Sequence, residues 1–184
     1  IDHVVDISRG TTIGLNGATV GTIEHVLSAI KGMNLDNVRI EIDGPEAPVA
    51  DGSALVFVNL LKEAGFVQQD SERVYFELDS AISFSSPEEN VDVVIVPSNE
   101  LKVTFMIDYK HPHLGTQYTW LPSLDVYEDD FAPARTFCFI KEILYLKEKG
   151  LIKGGPLDNA LVIGEPNMSE AELQHLKDVF GYHK

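Results

Sequence analysis

Apolar residues in TIEHVLSAIKGMN fall at Ile23, Val26, Leu27 and Ile30, the three- and four-residue steps of a helix face. This predicts a helix opening near Thr22 and ending near Gly32. The next stretch, NVRIEIDG, alternates apolar and polar positions over 38–42 and predicts a half-buried strand stopped by Gly44-Pro45. After the turn GPEAPVADGS a second helix is expected. Asp51 or Ser53 would cap it, Leu55, Val58, Leu60 and Leu61 would face inward, and Gly65 would lie past its end.

A polar stretch at 68–72 reads as a linker. Beyond it, RVYFELDS, VDVVIVPS, LKVTFMIDY, TQYTWLPS and LDVYED are short and rich in β-branched and aromatic residues, and they predict strands. CFIKEILYLKEKG predicts a helix with Ile140, Ile143, Leu144 and Leu146 on one face and Gly150 at its end. DNALVIGE predicts another strand. In NMSEAELQHLKDVFG, Ser169 followed three residues later by Glu172 is the capping box of a short surface helix that Gly181 stops. Strands and helices in successive blocks favour an α+β architecture over alternating βαβ units. The linker divides the chain into 1–68 and 72–184.

The chain has 184 residues, 44% of them hydrophobic and 23% charged, enough to build a core. No run of roughly 18 apolar residues suits a membrane-spanning helix, and the first residues lack the pattern of a signal peptide. A net charge of −15 argues against nucleic-acid binding, which needs a basic face. Lysines and arginine thicken between Arg135 and Lys153, where they read as a solvated helix face. The single cysteine, Cys138, excludes an intrachain disulfide and a multi-cysteine metal site, fits a reducing compartment, and reads as a small packing residue. Any metal must therefore use histidine and carboxylate ligands.

The dipeptide Glu24-His25 carries the chemistry most worth weighing. Neighbours on a helix point about 100° apart, so both reach one cleft only near the first turn, where backbone amides are also free. A neutral imidazole that holds a metal, beside a carboxylate that takes a proton from a metal-bound water, is the arrangement zinc hydrolysis uses. On its own the pair is a weak signal, and a solvated glutamate next to a packed histidine is the commoner arrangement.

Four separated strings add to this pair: TIEHVLSA, PVADGSA, PARTF and GGPLDNA. In order and spacing they resemble the UDP-3-O-acyl-N-acetylglucosamine deacetylase family, and the resemblance runs over essentially the whole chain. It implies two similar two-layer sandwich domains, each with helices packed on a mostly antiparallel sheet and the active site between them. The reaction implied is zinc-dependent removal of acetate from a UDP-linked 3-O-acyl glucosamine, an early step of lipid A synthesis, by a cytoplasmic, monomeric enzyme. By position, His25 matches a zinc ligand, Glu24 the general base and Thr136 the hydroxyl that helps hold the oxyanion, while Phe137 matches a residue that contacts substrate. Leu151, Ile152 and Leu157 match the region that lines the acyl passage.

The family pattern also includes an early Gly-Leu-His segment, a later His-Lys-x-x-x-Asp motif with the remaining zinc ligands, and a general-acid histidine. None of these is found here, although His183-Lys184 has the first two letters of the later motif. A non-catalytic fragment that keeps the fold, or a binding module that shares its framework, is the alternative reading. Of the other candidates, Asp51 reads as a helix cap, Asp158 as a turn former, and His111 and His113 as residues of a solvent-exposed loop. The acidic runs Glu88-Glu89 and Glu128-Asp129-Asp130 read as solvated edges.

Overall fold

The computed structural model describes residues 2–8, 10–112, 114–140, 142–143, 145 and 159–180. Expectations for Leu144, Leu146, Gly150–Asp158, His113, Gly181 and His183 lie outside the described residues. The first sheet has three strands, β1 (Val4–Asp6), β2 (Thr12–Leu15) and β3 (Ala18–Val20), in the order β1-β2-β3 and all antiparallel. Asn16 and Gly17 join β2 to β3 with φ of 52° and 84°. Two successive left-handed residues make the tight turn that Asn-Gly adopts at least cost.

Helix α1 (Glu24–Gly32) and helix α2 (Leu55–Ala64) fall close to the ranges their patterns predict, and Gly65 ends α2 with φ 82°. Their starts differ from expectation. The cap positions are Ile23 and Ala54, neither with a side-chain cap bond. Asp51 and Ser53 act one step earlier instead. Asp51 Oδ1 accepts from the Ser53 N–H at 3.0 Å and from Ser53 Oγ at 2.7 Å, and Ser53 Oγ accepts from the Leu55 N–H at 3.2 Å. On α2, Val58 and Phe57 are buried, whereas Leu60, expected inward, is 56% exposed. Phe57 rather than Leu60 takes the face that meets α1.

Three hairpin or paired units follow. β4 (Ile82–Ser86) pairs antiparallel with β5 (Val91–Ile95), and β6 (Val103–Asp108) with β7 (Thr116–Leu121). β8 (Phe137–Phe139) pairs parallel with β9 (Leu161–Ile163). Ile140, Glu142, Ile143 and Tyr145 are helical, and the last described helix is Glu170–Phe180. Its capping box forms as expected: the Ser169 N–H donates to Glu172 Oε2 at 2.8 Å, and the Glu172 N–H to Ser169 Oγ at 3.3 Å. Helices and small, mostly antiparallel sheets make this an α+β structure.

Three expected strands do not form. Residues 38–42 are irregular, with Val38, Ile40 and Ile42 each at least 39% exposed. Residues 73–80 are likewise unpaired in any described sheet, and Val74 and Phe76 are exposed. Alternation of side chains specifies a strand only where a neighbouring edge supplies hydrogen bonds. LDVYED instead forms a 3-10 turn (Leu124–Val126) and a π-helical turn (Tyr127–Phe131). The Ala132 N–H reaches back to the Tyr127 carbonyl at 2.8 Å, the five-residue step that turns the tyrosine ring inward.

That ring completes the core. Ala29 of α1, Ala54, Phe57 and Val58 around α2, Leu121 at the end of β7, and Tyr127 and Ala132 are buried together. Tyr127 covers Gly32 so closely that a β-carbon there would lie 2.0 Å from Cε1, and its hydroxyl is 2.6 Å from Ser28 Oγ. Burial raises the Tyr127 phenol above its ordinary pKa, with the Ser28 bond opposing. Buried residues from both sides of 68–72 thus pack together in this cluster.

Candidate active site

Glu24 and His25 occupy the first two positions of α1, both half-buried. The approach to them is strained. Thr22, a β-branched residue, has φ 56°, where such side chains are rarely found. Its neighbours hold it there: the Gly21 N–H donates to the Pro45 carbonyl at 2.9 Å, and the Ala47 N–H to the Gly21 carbonyl at 3.0 Å. The carboxylate of Glu24 is anchored too, because the Thr11 N–H donates to Oε2 at 2.8 Å. A negative side chain at this end of a helix is also favoured by the free amides and the helix dipole.

The second part of the site is built from strings that lie far apart in sequence. Gly52, with φ 82°, follows Ala50, with φ 53°, in the PVADGSA turn. Its carbonyl accepts from the Thr136 N–H at 2.7 Å, and the Thr136 carbonyl accepts from the Leu161 N–H at 2.8 Å. Arg135 Nε donates to the Asp51 carbonyl at 2.8 Å. A β-carbon on Gly52 would stand 2.0 Å from the Asn159 carbonyl oxygen and 3.2 Å from Thr136 Cγ2. Only a glycine permits that approach. The turn, the ARTF string and the segment at Asn159–Leu161 therefore meet at one point.

Phe137 opens β8 and is 39% exposed. It sits in an aromatic group that sequence patterning missed. Its ring is edge-on to Tyr109 at 5.4 Å and to Phe139 at 5.9 Å, and His111 lies 5.5 Å from Phe139. His111 is therefore half-buried against an aromatic ring rather than solvated in a loop. The parity of Tyr109 and His111, and of Phe137 and Phe139, was the available signal. Cys138, between the two phenylalanines of β8, has its Sγ 3.9 Å from the Leu161 carbonyl; burial, and then nearby Glu142, raise its thiol pKa, as befits a packing residue.

A zinc site needs about three protein ligands. Among the described residues no group of three or more His, Cys, Asp or Glu side chains comes together. His25 has the right chemistry for one ligand, but the described residues do not close a zinc site, so no step through the metal is derived from this geometry.

The UDP-3-O-acyl N-acetylglycosamine deacetylase (LpxC) family matches this chain over residues 1–184. The chain belongs to that family. It is 46% identical to a bifunctional enzyme LpxC/FabZ of Chlorobaculum tepidum, over 98% of this chain and 39% of that protein. It is 41% identical to a UDP-3-O-acyl-N-acetylglucosamine deacetylase of Syntrophotalea carbinolica, over 99% of this chain and 59% of the relative. A deacetylase of the same name from Syntrophus aciditrophicus is 38% identical, over 100% and 58%. The chain thus spans three fifths or less of the length of these relatives. Among the described residues no helix is long and apolar enough to cross a membrane.

Proposed function

We propose that this chain is part of a zinc-dependent enzyme that hydrolyses the N-acetyl group of a UDP-linked 3-O-acyl glucosamine in the cytoplasm, as an early step of lipid A synthesis. The observation that carries the reading is the convergence of the PVADGSA and PARTF strings with Asn159 and Leu161 at Gly52 and Thr136, in a chain matched to the deacetylase family over residues 1–184. We further propose that Glu24, His25 and Thr136 face one cleft. In support, the turn that holds Thr136 runs directly into α2, and α2 shares its buried face with α1.

In this reading His25 is one ligand of the zinc, and the others come from residues outside those described. When bound, zinc supplies Lewis-acid activation of a water. Glu24 would accept a proton from the attacking water, while the leaving amine would take its proton from the general-acid histidine of the family pattern. Thr136 donates its hydroxyl hydrogen to the oxygen on which negative charge develops, and Phe137 offers an apolar edge to the substrate. Two units, 1–68 and 72–184, each layering helices on a sheet, would flank the cleft.

The test separates ligand from base in the full-length enzyme. His25→Ala should lower zinc content, whereas Glu24→Ala should keep zinc bound and cut turnover by about 10²-fold or more. Equal loss of zinc in both would make Glu24 a ligand, and full turnover in both would end the proposal.

A further inference from the structure

A glutamate has three rotatable side-chain bonds, so a carboxylate that must receive a proton in one direction needs something to hold it. We infer that Gly10 and Thr11 form the positioning element of Glu24, deepening the proposed reading and resting on it. Thr11 fixes one carboxylate oxygen, and the missing side chain of Gly10 keeps the space beside the other open.

The geometry is specific. Thr11 donates its N–H to Glu24 Oε2 at 2.8 Å, within the range of bonds from an amide to a charged acceptor. Its carbonyl accepts from the Ile23 N–H at 3.2 Å. One residue of the first sheet's approach therefore grips both the backbone before Glu24 and the end of its side chain. This leaves Oε1 as the oxygen free of that amide. A β-carbon on Gly10 would lie 2.8 Å from Oε1, 3.4 Å from Oε2 and 3.5 Å from Cδ. The clash is with the far end of a flexible side chain, so the carboxylate turns and the backbone stays. Gly10 is not in the left-handed region, so alanine brings no backbone strain there.

The experiment uses the full-length, zinc-loaded enzyme with Gly10→Ala, Glu24→Gln and the double variant. Gly10→Ala should lower kcat about 10- to 100-fold with KM, zinc content and melting temperature near wild type. Added to Glu24→Gln, it should cause little further loss, because it acts through a group already disabled. Independently of activity, the Thr11 amide proton should move upfield in NMR spectra of Glu24→Ala, which also decides the matter if Gly10→Ala does not fold. Full activity of Gly10→Ala, a loss that multiplies with that of Glu24→Gln, or an unmoved Thr11 amide would overturn the inference. A fully active Glu24→Gln would instead remove Glu24 as the base, and with it both this inference and the proposal it rests on.

Discussion

Asp51 shows how a single exposed carboxylate can shape a turn. Its side chain accepts from Ser53, and those hydrogen bonds, first of all that from the hydroxyl, hold its pKa below the ordinary aspartate value. A depressed folded pKa means the contribution to stability is complete above the unfolded value and is lost as pH falls through the folded one. Thermal unfolding followed from about pH 5 to about pH 2 should therefore fall more steeply for the native protein than for Asp51→Asn. Because Asp51 is exposed, the difference should be small, and it should shrink further with added salt only to the extent that Arg135 contributes.

At the scale of elements, the helices divide by how their ends are satisfied. α1 and α2 begin without a side-chain cap and lean on the shared core, whereas the helix Glu170–Phe180 has its capping box and largely exposed described side chains. Such a helix depends on its own ends. Ser169→Ala should cost about 1 kcal/mol. Hydrogen exchange of the amides at 170–173 should report that loss locally, with the amides of α2 unaffected.

For the whole molecule, Gly52 is where distant segments are joined. Gly52→Ala meets two penalties at once, a φ of 82° and an overlap with the Asn159 carbonyl. Gly17→Ala, with φ 84° and nothing within 4 Å, meets only the first. In urea titrations Gly17→Ala should cost about 1 kcal/mol, the price of left-handed backbone, and Gly52→Ala should exceed it by about 2 kcal/mol or more. Equal costs would mean that the junction of the three strings relaxes freely.

Local patterns determined much of this protein. The three- and four-residue steps of α1 and α2, the Ser169-Glu172 box and the β-branched runs of β5 to β7 all form where the sequence places them, because each is set by contacts a few residues apart. The motif strings were legible as well, and they named the family before any geometry was known. Only the tertiary structure decided what depends on distant neighbours. The alternation at 38–42 found no sheet edge, Tyr127 turned inward because α1 offered the space over Gly32, and His111 packed on Phe139 across the chain. The grip of Thr11 on Glu24 belongs to the same class: a backbone amide carries no signature in sequence, and its meaning comes only from the side chain that the fold brings to it.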